Sequence, residues 1–129
     1  MSSLKVLVVD DDELVVEYAQ KLLHASGFNP ITALDMDAAW PLFLQSRPEI
    51  VLLDIVMPGT DGLEGLRRMH SVLAEMGHKA RFIMLTNKKS RETVAAAIAA
   101  GAHDYLAKPL RPTQLVEKIQ RQVEILTGG

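Results

Sequence analysis

Four apolar stretches of this chain end on residues able to do chemistry. Leu4 to Val9, broken only by Lys5, runs into Asp10-Asp11-Asp12, and Ile50-Val51-Leu52-Leu53 runs into Asp54. Arg81 to Leu85 runs into Thr86, and Tyr105 to Ala107 runs into Lys108. If the four stretches are parallel strands of one sheet, these polar residues meet at its carboxyl edge, where open α/β sheets bind ligands. Three carboxylates brought together repel one another and take up protons unless a cation is present. A hard divalent ion with oxygen ligands resolves the repulsion, and Mg²⁺ prefers one or two carboxylates with waters and phosphate oxygens. A lysine and a threonine hydroxyl beside such an ion suit a phosphoryl group. In that company Asp54 has the neighbours of a nucleophile that forms an acyl phosphate.

The elements that must position these residues alternate in period. After Asp12 the pattern turns helical, with Leu14, Val15, Tyr18, Leu22 and Leu23 at helical spacing and Gly27 as a stop. Pro30 to Leu34 is a short strand that must start at its proline or lie at a sheet edge, because proline offers no N–H to a ladder. Ala38 to Ser46 is helical in composition. Asp37 as N-cap would put Pro41 in the first turn, where its missing donor is tolerated; a kink is the alternative. Ile50 to Asp54 is an unbroken apolar run, the mark of a strand buried on both faces, and Pro58, Gly59 and Gly62 close off a helix there.

Leu63 to Met76 reads as a helix stopped by Gly77, and Arg81 to Leu85 as another buried strand. Ser90 is placed to cap an alanine-rich helix from Arg91 to Ala100 that Gly101 closes. The last helix opens at Pro112, a favoured first-turn position, and carries Leu115, Val116, Ile119, Val123 and Leu126 along one face. Five strand–helix units in succession predict a doubly wound α/β fold, a parallel sheet covered by helices on both sides. Residues 1–129 are expected to form a single domain, with 127–129 the start of a linker or a tail.

Bulk properties exclude several classes. With 48% hydrophobic and 23% charged residues the chain has the balance of a soluble globular domain. A net charge of −2 gives no electrostatic reason to expect direct contact with nucleic acid or an anionic membrane. The absence of cysteine excludes disulfides, zinc–thiolate sites and cysteine nucleophiles. No signal peptide and no apolar run near ~20 residues is visible, so a cytoplasmic location is the default expectation.

In combination the motifs are specific. Val-Val-Asp-Asp, Leu-Leu-Asp-Ile-Val-Met-Pro-Gly-Thr-Asp-Gly, Met-Leu-Thr and Asp-Tyr-Leu-Ala-Lys-Pro resemble a response-regulator receiver domain of two-component signalling, of the chemotaxis-regulator kind, over essentially the whole chain. The resemblance implies a flavodoxin-like five-stranded sheet of order 2-1-3-4-5 with five helices, which leaves the Pro30 strand at an edge. It implies that Asp54 accepts a phosphoryl group from a histidine kinase or a histidine phosphotransfer protein. Asp11 and Asp54 would bind Mg²⁺ directly, Asp10 through water, and the backbone carbonyl of Val56 would complete the protein ligands; Mn²⁺ is an alternative ion.

Thr86 would bond the phosphoryl oxygens after activation, Lys108 would pair with them, and Tyr105 matches an aromatic switch position. The Lys108-Pro109 bond matches one often cis in the family. The output face would comprise the alanine-rich helix, the last strand and the last helix, offered to a downstream protein, an output domain or a second copy. Val56 and Lys88, each two residues past a site residue, flank the path of the hydrolytic water and imply a slow loss of the phosphoryl group. Departures from the pattern are Asn87 after the threonine, Leu110 after Lys-Pro, and Arg111 at a usual capping position; Asn87 bears on how freely the Thr86 loop moves.

A phosphohydrolase of the haloacid-dehalogenase type is the rival reading. There Asp10 would be the nucleophile, with Asp12, Leu85-Thr86-Asn87 and Lys108 mimicking its motifs. A later acidic pair and a Thr-Gly after Asp12 are missing from the sequence. A nucleotide-binding module lacks its Gly-rich phosphate loop.

Overall fold

The computed structural model describes residues 4–57, 60–87 and 91–128. Five strands form the main sheet: β1 (Lys5–Val9), β2 (Asn29–Ala33), β3 (Ile50–Asp54), β4 (Arg81–Thr86) and β5 (Asp104–Ala107). Five helices connect and follow them: α1 (Glu13–Ala25), α2 (Met36–Ser46), α3 (Gly62–Met76), α4 (Arg91–Ala100) and α5 (Pro112–Thr127). All strand pairings in this sheet are parallel and the order is β2-β1-β3-β4-β5, as expected. The edge place of β2 explains its proline: Pro30 stands opposite Val6 and has no second neighbour to disappoint.

Side chains alternate across the sheet with period two, and that alternation builds two cores. Val6, Val8, Ile50, Leu52, Ile83 and Leu85 face Val16, Ala19 and Leu23 of α1 and Leu115 and Ile119 of α5. Leu7, Val9, Val51, Leu53, Phe82 and Met84 face the other way, onto Ala39 and Phe43 of α2, Leu66 and Met69 of α3, and Ala97 and Ala100 of α4. Every residue of β3 is buried, so its polar terminus, Asp54, is held by neighbours on both sides. Cutting any of the large apolar β3 side chains to alanine removes packing worth about 2–5 kcal/mol.

Two local expectations are corrected. Asp35, not Asp37, caps α2: its carboxylate accepts from the N–H of Ala38 at 2.8 Å, and the helix starts at Met36. Pro41 therefore lies inside the helix rather than in its first turn, and cannot serve the carbonyl of Asp37. Strand β2 opens one residue before its proline, because the N–H of Asn29 pairs with the carbonyl of Leu4 at 2.8 Å. A short antiparallel ribbon of Val56–Met57 and Thr60–Asp61, which periodicity did not show, follows β3. Ser90, the expected cap of α4, lies outside the described residues, as do Pro58, Gly59 and Lys88.

Candidate functional site

Strand register carries the polar residues to one edge. Val9 pairs with Leu53, so Asp10 follows β1 level with Asp54 at the end of β3. Asp54 pairs with Leu85, so Thr86 is one step beyond it, and Thr86 in turn pairs with Ala107, immediately before Lys108. The N–H of Lys108 donates to the carbonyl of Thr86 at 2.9 Å, tying the two strand ends together. The peptide bond between Lys108 and Pro109 is cis.

The carboxylates are buried to different degrees. Asp10 is fully enclosed, Asp54 is 4% exposed and Asp11 is exposed, yet oxygens of all three lie within 4.8 Å of one another. Asp54 Oδ1 accepts from the N–H of Val56 at 3.0 Å, and Oδ2 accepts from Lys108 Nζ at 3.0 Å. The same ammonium stands 2.6 Å from Asp10 Oδ2, a buried charge pair. Asp10 Oδ1 accepts from the N–H of Asp12 at 3.0 Å. Thr86 is buried beside them.

One lysine thus serves two buried carboxylates, and the titration of Asp54 and Lys108 follows from that ratio. Burial raises the pKa of Asp54 first, Lys108 pulls it back through its hydrogen bond, and the charge of Asp10 raises it again; the balance is about 6. Burial acts to lower Lys108, but its contacts with Asp10 and Asp54 outweigh it and hold the ammonium above its ordinary value. At neutral pH Asp54 is ionised and incompletely solvated, a state suited to a nucleophilic carboxylate.

The donor set fits a hard divalent cation. It is made of oxygens alone, and its three carboxylates carry more negative charge than the single ammonium of Lys108 offsets. Asp12 does not belong to it: its carboxylate caps α1, accepting from the N–H of Leu14 at 3.0 Å. That leaves the Asp10-x-Asp12 pair of the hydrolase reading without its second member. Full enclosure of Asp10 further disfavours it as the nucleophile.

Beyond the carboxylate cluster, Tyr105 lies half-buried on β5 opposite Met84, and Lys118 Nζ sits 5.0 Å from the centre of its ring. Lys118 also pairs with Asp104 at 2.8 Å, a clasp between α5 and β5 that no sequence motif signalled. Arg111 caps α5 by backbone only, its side chain having no acceptor to offer. The side chain of Val56 is 69% exposed beside Asp54. No helix among the described residues is long and apolar enough to cross a membrane.

Comparison with known proteins agrees with this geometry. Residues 6–120 match the family model of the response regulator receiver domain. The chain is 32% identical over 119 residues to the DNA-binding response regulator MtrA of Mycolicibacterium paratuberculosis, covering 92% of this chain and 51% of that protein. Among solved structures, the chemotaxis protein CheY4 of Vibrio cholerae superposes with a TM-score of 0.85 at 28% identity, covering 93% of this chain and 98% of the other. A CheY-like response regulator receiver domain protein from Methanospirillum hungatei gives a TM-score of 0.87 at 27% identity over 99% and 100% of the two chains. The chain spans about half the length of the curated relatives it matches. A parallel sheet of order 2-1-3-4-5 with acidic residues gathered at its carboxyl edge, and a family match over nearly the whole sequence, make this chain a response-regulator receiver domain, a signalling module of two-component systems.

Proposed function

We propose that Asp54 is the phosphoacceptor of a phosphorylation-controlled switch. The observation that carries the proposal is Lys108 bridging the buried carboxylates of Asp10 and Asp54, next in register to Thr86. The donor is a phosphohistidine on a sensor kinase or a phosphotransfer protein. An oxygen of Asp54 attacks the phosphorus, the N–P bond breaks, and its electron pair leaves on the imidazole of the donor. The product is an acyl phosphate on Asp54. Lys108 follows the charge by turning its ammonium to the phosphoryl oxygens, and the Thr86 hydroxyl donates to one of them.

Asp10, Asp11 and Asp54, with the backbone carbonyl of Val56, would hold Mg²⁺, or Mn²⁺ in its place. When bound, the ion supplies neutralisation of the carboxylates and of the charge spread over the phosphoryl oxygens. The burial of Asp10, Asp54 and Thr86 strengthens these charge interactions by lowering the local dielectric.

Movement of Thr86 toward the phosphoryl group vacates space into which Tyr105 turns. The surface of α4, β5 and α5 then changes and engages a downstream protein, an output domain or a second copy of the chain. This is a population shift, for which differential contacts of a few kcal/mol suffice. The domain itself makes no direct contact with nucleic acid or membrane, consistent with its net charge of −2, and works in the cytoplasm. The module is a switch rather than a conventional enzyme. Incubation with acetyl phosphate and Mg²⁺ tests this: uptake should stop near one phosphoryl group per chain with slow release of phosphate. Release of many equivalents per chain in the same period would favour a hydrolase.

A further inference from the structure

We infer that Gly62, outside the carboxylate cluster, is a positioning residue for phosphoryl transfer. It opens α3 and is buried against the end of β3. A Cβ built at this position would lie 2.5 Å from the carbonyl oxygen of Ile55, 2.7 Å from its Cα and 2.8 Å from the carbonyl oxygen of Asp54. All three are backbone atoms, so no side-chain rotation relieves the contact. Backbone conformation is not the reason for glycine here, since Gly62 is absent from the residues with positive φ. Helix propensity also favours alanine over glycine. The space itself is the reason: without a Cβ, the first turn of α3 lies directly on the Asp54–Ile55 backbone.

That backbone carries the site. One residue further on, Val56 donates its N–H to Asp54 Oδ1 at 3.0 Å, and its carbonyl is the proposed protein ligand for the cation. A methyl group on residue 62 forces either α3 or the Asp54–Val56 segment to move by several tenths of an ångström. Transfer to a carboxylate depends on alignment at that scale, and a misplacement of about 1 Å lowers rates by about a hundredfold. Gly62 therefore aims Asp54 through the chain that follows it. Gly65, one turn along α3, supplies the contrast: a Cβ there meets the terminal Cε of Met36 at 2.5 Å, the end of a flexible side chain that can move aside.

The inference rests on Asp54 being the phosphoacceptor, and its test has one arm that does not. In protein free of metal and phosphodonor, the amide resonance of Val56 should shift in Gly62→Ala and stay near its native position in Gly65→Ala. With acetyl phosphate and Mg²⁺, Gly62→Ala should be phosphorylated about ten- to a hundredfold more slowly, and Gly65→Ala within about threefold of native. If Gly62→Ala does not fold alone, the amide is read in the Asp54→Asn background, which removes the burial of a charge while its carboxamide oxygen still accepts from the Val56 N–H. An unshifted Val56 amide, a rate within threefold of native, or a chain unfolded in both backgrounds would each overturn the positioning role. A native protein that takes no phosphoryl group on Asp54 would instead overturn the function, leaving the amide result to judge Gly62.

Discussion

Asp54 should make the metal-free domain less stable than it would be with a neutral side chain. Its pKa stands near 6 in the folded protein against an ordinary 3.8, with burial as the largest cause. A folded pKa above the unfolded one means that this group's contribution is fully present below pH 3.8 and is lost as pH rises through about 6. At about 1.4 kcal/mol per pH unit, the gap between those values amounts to about 3 kcal/mol at neutral pH. Asp54→Asn removes the charge while keeping an acceptor for the Val56 N–H, but it sets an amide beside the Lys108 ammonium. A net gain of about 1–3 kcal/mol is therefore expected, or a rise of roughly 3–10 °C in Tm. The assay is thermal unfolding of both proteins in chelator between pH 4 and 8. His103, whose pKa is lowered to about 4 by burial and by Arg81 and His70, titrates in the same range, but does so in both proteins and cancels in the difference. The advantage of the variant should open between pH 4 and 6 and level off above. A variant less stable than native at pH 7.5, or a difference independent of pH, would refute the reasoning.

The other predictions concern the ion, the switch and the lifetime. Mg²⁺ at tenfold its Kd should stabilise the native domain by about 1.4 kcal/mol through mass action, and Asp11→Asn should abolish most of that gain, both read from Tm. Phosphorylation should move amide resonances from Val94 to Tyr105 as well as those around Asp54; shifts confined to the Asp54 pocket would contradict the switch. Valine at 56 offers no hydrogen bond to a hydrolytic water and lysine at 88 only donates, so the purified phosphoprotein in Mg²⁺ should decay over minutes to hours. Val56→Asn with Lys88→Glu should shorten that lifetime several-fold.

The site was legible in the sequence because parallel strands of similar length align their ends. Asp10, Asp54, Thr86 and Lys108 each close an apolar run, and register alone brings them together. The edge position of Pro30 was legible for a related reason, proline having no N–H for a second neighbour. Local competition hid other features. Asp35 and Asp37 are both able to cap α2, and residue type does not distinguish them; the helix starts after Asp35, with Pro41 left inside it. The Val56–Met57 and Thr60–Asp61 ribbon is too short to show a period. Contacts between distant elements left no trace at all: the Lys118 ammonium over Tyr105 and the approach of Gly62 to the Asp54 and Ile55 carbonyls exist only once α5 and α3 are docked.

The central claim is that one carboxylate among three takes the phosphoryl group. It is tested by treating native and Asp54→Asn protein with acetyl phosphate and Mg²⁺, recording intact masses, and mapping the modified peptide after trapping the acyl phosphate with borohydride. The account predicts one phosphoryl adduct on the native chain, located at Asp54, and none on the variant. An adduct at Asp10 or Asp11 in the native protein, or undiminished labelling of Asp54→Asn, would contradict it.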